Sequence, residues 1–346
     1  MMRASNDKNT SWFTILNGAA GGGRCGAQAD PLLRRLNAHG LAIEPHPTNA
    51  PGHATELAKK AWFEGTRRFL CIGGDGTAFE ILNGLVPTCL AEGQERITLG
   101  IIPAGTGNSF LRDMNIRNEE SAIQALLAGT TQPCDIVEVR HSQGTLYYLN
   151  LLSIGFTAQV TGQANLRFKS LGAAGYIASV FLNLIQLSAP SDPIQIDDGP
   201  WDGRPAPFLS FCNSRYTGGA MMMAPHAEVD DGAIDIIRCL PLKRVELLAQ
   251  FPKLFRGTHV HSKVIEERRA AQVRFEQDRI QPVMIDGEVL DLNLRSLRVV
   301  PQAIQVVCGT PERAQTNAKQ AQTNAKQAQT NPDASMEARV TTMERS

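Results

Sequence analysis

Short apolar runs alternate with segments of helical periodicity over the first third of the chain. The runs at 12–16, 41–46, 69–72 and 97–102 predict strands, and the segments 30–39, 54–65 and 119–128 have the apolar spacing of helices. Gly40 follows the first helical segment, at the position where glycine commonly ends a helix. Strands that alternate with helices in this way predict an α/β domain with a parallel sheet.

A different pattern begins near Cys134. Turn signals become frequent, and two helical segments, 165–187 and 242–255, interrupt a series of short strand-like runs. These runs lie at 135–141, 145–154, 194–196, 207–213, 233–238, 271–275, 283–285 and 294–299. The pattern predicts a second, mostly antiparallel β domain with a few inserted helices.

Three glycine-rich loops follow three of the predicted parallel strands, at 17–24, 73–77 and 103–108. The carboxyl ends of parallel strands meet at one edge of a sheet, so these loops are expected to face one crevice. Backbone N–H groups of such loops, followed by a helix N-terminus, suit a phosphate group. Asp75 would repel a bare phosphate, which leaves three roles open: it holds magnesium, orients a hydroxyl, or hydrogen-bonds the loop itself.

The composition is that of an ordinary globular protein. The chain has 346 residues, 42% of them hydrophobic and 20% charged, with a formal net charge of zero. The length predicts two domains, and the charge balance argues against a nucleic-acid partner and against general attraction to anionic membranes. Seven scattered cysteines without a CxxC motif predict reduced, buried thiols in a cytoplasmic protein and argue against zinc.

The sequence predicts neither a signal peptide nor a membrane-spanning helix. Residues 1–10 are polar, so no signal peptide is expected, and the apolar stretch 171–187 is short for a membrane span and predicts a buried helix.

Residues 314–320 form a heptapeptide that recurs at 321–327 without apolar heptad positions beyond alanine. Residues 311–346 are therefore predicted to be a disordered repeat tail.

Three motifs carry a family resemblance. They are Gly73-Gly74-Asp75-Gly76-Thr77 with Glu80 and Asn83-Gly84, then Pro103-Ala104-Gly105-Thr106-Gly107-Asn108, then Asp286-Gly287-Glu288. In this order the chain resembles, from about 13 to 308, the diacylglycerol kinase catalytic-domain family, which includes sphingosine and ceramide kinases. The resemblance implies an NAD-kinase/phosphofructokinase-like α/β domain at 11–134, with a returning strand at about 300–309. It also implies a mostly antiparallel β-sandwich domain at 135–299.

The resemblance further implies an ATP-dependent lipid kinase that transfers the γ-phosphate to a lipid hydroxyl with the help of Mg²⁺. One departure is Gly18, which stands where the family commonly has proline and makes the first loop more flexible. From the residues alone, Thr48 could equally stabilise a turn, and Glu80 could either hold the loops together or be a first-turn acid. Thr106 with Asn108 could form a tight turn and a helix N-cap. The family's nucleotide site maps onto Asn17, Thr48, Gly73, Gly74, Asp75, Gly76, Thr77, Glu80, Thr106 and Asn108.

Asp286 matches the family residue regarded as the proton acceptor, with Glu288 beside it. Two carboxylates two residues apart on an extended strand would point to one face, where they could share a magnesium ion or raise one pKa. Asp-Gly is also a common turn between strands, so a purely structural role stays open. Asp75, the proposed base of the sphingosine branch, is the competing catalytic carboxylate.

A structural magnesium site is also implied by the resemblance. It would consist of the Asp231 carboxylate and the backbone carbonyls of Glu228 and Ala233, oxygen ligands of the kind that magnesium prefers. From the residues alone, a solvated acidic turn is equally compatible with this segment.

The acceptor is the open question. Gly73 favours diacylglycerol or a ceramide-like lipid, whereas Gly107-Asn108-Ser109-Phe110 resembles the sphingoid-base branch. Phosphorylation of a soluble nucleotide, as by NAD kinase, is a second alternative, and a non-catalytic lipid-binding or nucleotide-sensing protein is a third. We expect a cytoplasmic protein that contacts a membrane surface transiently, and a homodimer is compatible with the sequence.

Overall fold

The computed structural model describes residues 11–91, 97–155 and 188–310. The predicted helix at 165–187 and the predicted repeat tail lie outside these ranges. All of the described fold up to Cys308 belongs to one compact unit.

The amino-terminal half is an α/β layer. Its parallel strands follow the order β2-β1-β3-β4, with each successive strand connected through a helix. Residues 69–72 are fully buried, as expected for a strand covered on both faces. The elements are β1 (Trp12–Leu16), α1 (Arg24–Ala38), β2 (Ile43–Pro47), α2 (His53–Phe63), β3 (Arg68–Gly73), α3 (Asp75–Ala91), β4 (Ile97–Pro103) and α4 (Glu119–Ala128), with a 3₁₀ turn at Phe110–Arg112.

The carboxyl-terminal half is mostly antiparallel β structure. One sheet has the order β14-β13-β10-β7-β16-β17, and the other extends the first sheet as β4-β18-β15-β8-β9, with β5 and β6 attached to β18. The elements are β5 (Thr131–His141), β6 (Gly144–Tyr148), β7 (Leu151–Gly155), β8 (Ile194–Ile196), β9 (Trp201–Asp202), β10 (Phe208–Cys212), β11 (Tyr216–Thr217), β12 (Met221–Met222), β13 (Ile234–Cys239), α5 (Arg244–Leu254), a 3₁₀ turn at Thr258–His261, β14 (Ile265–Ala270), β15 (Gln272–Phe275), β16 (Gln281–Ile285), β17 (Glu288–Leu292) and β18 (Leu294–Val307).

One long strand, β18, runs through both halves. It pairs antiparallel with β5 along its length, and its last part, Ile304 to Val306, pairs parallel with β4. The sequence predicts two separate strands here. The structure makes one, because β5 offers a continuous partner and a register shift between Val300 and Ile304, with Gln302 at φ 47°, absorbs the irregularity. The predicted fold class is confirmed, while the domain boundary at 134 stays a prediction.

Helix α3 contributes to two hydrophobic cores. Ile81 and Leu82 pack in the core between the parallel sheet and its helices. Phe79 instead packs in the core between the two β sheets, with Tyr148 and Leu152. The helix that begins at the second glycine-rich loop is therefore anchored in both halves of the fold.

One further sequence expectation concerns the cysteines. All seven cysteines are free and buried, as predicted. Among the described residues, no helix is long and apolar enough to cross a membrane.

Helices α2 and α3 approach each other closely at Gly84. A Cβ atom at this position would lie 2.4 Å from the backbone oxygen of Thr55. We therefore expect Gly84→Ala to lower the free energy of unfolding by about 1–3 kcal/mol, the usual cost of overpacking. Urea denaturation measures this change. The control Lys59→Ala, on the exposed face of α2, should shift stability by no more than about 0.5 kcal/mol, and an equally small effect of Gly84→Ala would contradict the close contact.

Candidate active site

The three glycine-rich loops meet, as predicted. A Cβ atom at Gly105 would lie 2.5 Å from Gly74 Cα, and one at Gly21 would lie 2.6 Å from the carbonyl oxygen of Ala104. The backbone N–H groups of Ala104 and Gly105 both donate to the Gly73 carbonyl, at 2.8 and 3.1 Å. Only glycine allows main chains to approach this closely, which explains why these loops consist of small residues.

Asn17 connects the first loop to the second. Its Nδ2 donates to Thr77 Oγ1 at 2.9 Å, and its Oδ1 accepts from the Ala19 N–H at 3.1 Å. Thr77 is buried in the first turn of α3, so this contact fixes its hydroxyl at the floor of the crevice. Sequence reasoning placed both residues at the nucleotide, and the structure brings them together.

Asp75 opens α3 and is partly buried. Its Oδ2 accepts a hydrogen bond from the Ser109 N–H at 3.2 Å, and a Cβ at Gly107 would lie 3.0 Å from the same oxygen. Burial raises the pKa of Asp75 to about 6, although hydrogen bonds from the Ser109 and Asn108 backbone partly offset this. Among the three roles left open by the sequence, hydrogen bonding of the loop is therefore present.

Asn108 leaves an unsatisfied acceptor in the same crevice. The residue adopts a left-handed conformation, φ 52°, and its Nδ2 donates to the Gly105 carbonyl at 3.0 Å. Its Oδ1 is buried and has no hydrogen-bond partner among the described residues. A buried polar atom of this kind suits a donor group on a bound ligand. Thr106, in contrast, is exposed at the loop surface.

Glu80 fastens protein loops together. Its carboxylate accepts from the N–H groups of Gly52 and Ala54 at 3.0 and 3.2 Å, at the N-terminus of α2. Thr48 follows β2, and its N–H donates to the Leu16 carbonyl at 2.8 Å, which places it at the end of β1. Of the two alternatives for Glu80, the structure shows the one in which its carboxylate holds loops together. Contact between Glu80 and a nucleotide stays a prediction.

Asp286 occupies the tip of the hairpin between β16 and β17. Ile285 pairs with Glu288, so Asp286 and Gly287 form a two-residue loop, and both have positive φ, 48° and 90°. This is the type I′ geometry that favours Asp-Gly. The interpretation of Asp286-Gly287 as a turn between two strands is thus correct. The Asp286 side chain in this turn also has a specific environment.

The Asp286 carboxylate lies in a cradle of backbone N–H groups at the start of β7. Oδ1 accepts from Asn150 and Leu151 at 2.9 and 3.1 Å, and Oδ2 accepts from Leu149 at 2.9 Å. The residue is only 4% exposed. Burial raises the pKa of Asp286 to about 7, and the nearby Asp75 charge adds to the rise, while the three N–H donors oppose it.

Glu288 and Asp286 contact different parts of the fold. A Cβ at Gly76 would lie 2.5 Å from Glu288 Oε1, so this exposed carboxylate lies against the first turn of α3. The expectation that both carboxylates share one face of an extended strand is wrong, because Asp286 lies in the turn and not in the strand. The hairpin instead sends one carboxylate to the β7 cradle and the other to the second glycine-rich loop.

The predicted structural magnesium site has a different donor set in this structure. Asp231 Oδ2 pairs with the Arg269 guanidinium, and Oδ1 accepts from the Ala233 N–H at 3.1 Å. A cation beside Asp231 would face the charge of Arg269, so the side chains as placed do not fit magnesium. In the ranges that the structure covers, no group of three His, Cys, Asp or Glu side chains could hold a metal. The Asp231, Glu228 and Ala233 site stays a prediction.

Sequence reasoning missed the groups that hold the two central carboxylates. The Leu149–Leu151 backbone carries no side-chain signal, since its contribution is three N–H groups. Ser109 was named only as part of a motif, yet its N–H binds Asp75 and its Oγ accepts from the Gly219 N–H at 2.8 Å. Neither contact leaves a recognisable pattern in a single sequence.

Comparison with known proteins agrees with this architecture. Residues 11–139 match the diacylglycerol kinase catalytic domain, and residues 150–308 match the YegS C-terminal NAD kinase beta sandwich-like domain. A Staphylococcus aureus protein named diacylglycerol kinase is 30% identical over 74% of this chain and 79% of its own length. A Mycobacterium tuberculosis protein of the same name is 27% identical over 85% of this chain and 93% of its own.

A solved structure from Bacillus anthracis str. Sterne shows the same fold. It has a TM-score of 0.71 at 22% identity and covers 89% of this chain and 98% of its own. The family resemblance seen in the three motifs is therefore confirmed over both halves of the fold. The chain belongs to the diacylglycerol kinase catalytic-domain family and is a lipid kinase, a phosphotransferase with an alcohol group as acceptor.

Proposed function

We propose that the protein transfers the γ-phosphate of ATP to the hydroxyl of diacylglycerol, with Asp286 as the base. The observation that carries this proposal is the Asp286 carboxylate, buried in a cradle of three N–H groups with its pKa raised to about 7. A general base works best when its pKa lies near the operating pH. The names of the relatives from Staphylococcus aureus and Mycobacterium tuberculosis support diacylglycerol as the acceptor.

The donor half of the reaction belongs to the glycine-rich crevice. Thr77 and the loop N–H groups suit the phosphates, and the orphan Oδ1 of Asn108 suits a donor group of the nucleotide or of a metal-bound water. The Asp75 carboxylate lies in this crevice, and a hard oxygen ligand of this kind fits magnesium that also binds substrate phosphates. Magnesium, when bound, would neutralise charge on the transferring phosphoryl group.

The acceptor half depends on Asp286. Oδ1 already accepts two hydrogen bonds and Oδ2 only one, so Oδ2 is the atom with capacity for a proton. The lipid oxygen forms the new P–O bond as its proton moves to Oδ2, while the bond between the γ-phosphorus and the bridging oxygen of ADP breaks. The Glu288 carboxylate, next to Gly76, lies between the donor half and the acceptor half of the site. Its negative charge favours a cation beside Gly76. The lipid acceptor requires contact with a membrane surface during turnover.

Replacing the base tests this assignment. We expect Asp286→Asn to lower kcat by about a hundredfold or more, because a general base typically accelerates a reaction by about 10²-fold to 10⁴-fold. ATP affinity should stay within about twofold, since the Asp286 carboxylate hydrogen-bonds the Leu149–Leu151 backbone and not the glycine-rich loops. Steady-state kinetics and ATP binding by calorimetry measure the two effects. The control Asp291→Asn, an exposed carboxylate on β17, should leave both unchanged, and near-normal kcat in Asp286→Asn would refute the assignment.

The pH dependence follows from the same burial. The base acts as a carboxylate, so kcat/KM should be constant above about pH 8, half-maximal near the Asp286 pKa of about 7, and fall by about tenfold per pH unit at lower pH. Rates from pH 5 to 9, with circular dichroism as a control for unfolding, test this. A flat profile down to pH 5 would contradict the raised pKa.

An acceptor panel separates the candidate substrates. Diacylglycerol, a sphingoid base and ceramide in mixed micelles, and NAD in solution, are each incubated with ATP and magnesium, and products are identified by mass spectrometry. We expect phosphatidic acid to form fastest. A phosphorylated sphingoid base or ceramide as the main product would transfer the proposal to that lipid class, and NADP as the main product would reject the lipid acceptor.

A further inference from the structure

The Asn83-Gly84 pair of the first motif has no part in the site described so far, although its asparagine joins the two halves of that site. Asn83 lies on α3 eight residues after Asp75, about 12 Å along the helix axis. Its Oδ1 accepts from the Tyr147 N–H at 2.9 Å, and its Nδ2 donates to the Tyr147 carbonyl at 2.9 Å. One amide side chain thus binds both polar backbone groups of one residue of β6.

The orientation of Asn83 is fixed by its own helix. Nδ2 also donates to the Phe79 carbonyl at 2.8 Å, one turn earlier in α3. The amide therefore uses both donors and one acceptor site, and reversing it would replace three hydrogen bonds by repulsive contacts. Phe79 itself packs against Tyr148 in the core between the β sheets. The contact between α3 and β6 is consequently both polar and apolar.

The segment held by Asn83 leads directly into the Asp286 cradle. Tyr147 is followed by Tyr148, whose hydroxyl donates to the Phe211 carbonyl at 3.0 Å, and then by the three residues whose N–H groups bind Asp286. From the other side, Asn213 Nδ2 donates to the Leu149 carbonyl at 2.8 Å. Asn213 lies in the β sandwich, whereas Asn83 lies on the helix that starts at the donor loop. Asn83 therefore ties the cradle to the donor half.

We propose that Asn83 is a positioning residue, which sets the distance between the phosphoryl donor at the α3 N-terminus and the base at Asp286 through the Tyr147 backbone. This inference rests on the proposed role of Asp286. Phosphoryl transfer depends mainly on alignment of donor and acceptor, and a misplacement of about 1 Å can cost a hundredfold in rate. Because the hydrogen bonds of the Asn83 side chain to described residues go to Phe79 and Tyr147, and not to the glycine-rich loops or Asp286, its loss should affect turnover and leave ATP binding intact.

The experiment compares two variants with one control. Asn83→Ala removes all three hydrogen bonds, and the isosteric Asn83→Asp keeps the side-chain volume and the acceptor for the Tyr147 N–H but loses both donations. The control Asn118→Ala removes a helix N-cap on α4, which costs about 1 kcal/mol of stability far from the site. For each protein, kcat, KM for ATP and for diacylglycerol micelles, ATP affinity by calorimetry and Tm are measured.

We expect both Asn83 variants to lose about tenfold to a hundredfold in kcat, with KM for ATP and ATP affinity within about twofold of the parent. Asn118→Ala should have a lower Tm than the parent and an unchanged kcat. The inference is overturned if the Asn83 variants have a lower Tm but an unchanged kcat. It is also overturned if KM for ATP rises as much as kcat falls. Should Asn83→Ala fail to fold, Asn83→Asp decides by the same criteria.

The result is separable from that of the base itself. Loss of activity in Asp286→Asn together with normal kcat in both Asn83 variants would overturn this inference alone. Normal kcat in Asp286→Asn would overturn the proposed base, whatever the Asn83 variants show.

Discussion

The cradle around the Asp286 carboxylate is the interaction on which the rest of this site depends. Burying a carboxylate is costly unless its oxygens receive hydrogen bonds. Three consecutive backbone N–H groups at the start of β7 supply them, and the Asp286 N–H in turn donates to the Leu151 carbonyl at 3.1 Å. The bonds fix the carboxylate without abolishing its basicity, since the pKa still rises to about 7.

The cradle needs both halves of the fold. The type I′ turn aims Asp286 at β7 and, two residues later, directs Glu288 to the first turn of α3. On the opposite side, Gly74 and Gly105 bring two loops into backbone contact, and Ser109 holds Asp75. The donor and acceptor halves therefore meet along α3, whose side chains enter both hydrophobic cores.

Sequence reasoning predicted the parts of this arrangement that depend on local patterns. Apolar runs identified the four parallel strands, and glycine content identified the loops that follow three of them. A buried strand and a tight loop each restrict which residue types can occupy their own positions. The same reasoning could not find the Leu149–Asp286 contact, which joins residues 137 apart in the chain and involves only backbone on one side. It also placed Asp286 and Glu288 on one face, since a single sequence does not show where a strand ends and a type I′ turn begins.

Burial of the Asp286 carboxyl, with the Asp75 charge nearby, raises its pKa to about 7. Carbon-13 NMR of aspartate carboxyl groups, titrated from pH 3 to 9 in the parent protein and in Asp286→Asn, tests it without reference to turnover. We expect a resonance that titrates near pH 7 in the parent protein and is absent from the variant. A spectrum in which the resonance lost in Asp286→Asn titrates near pH 4 would contradict it.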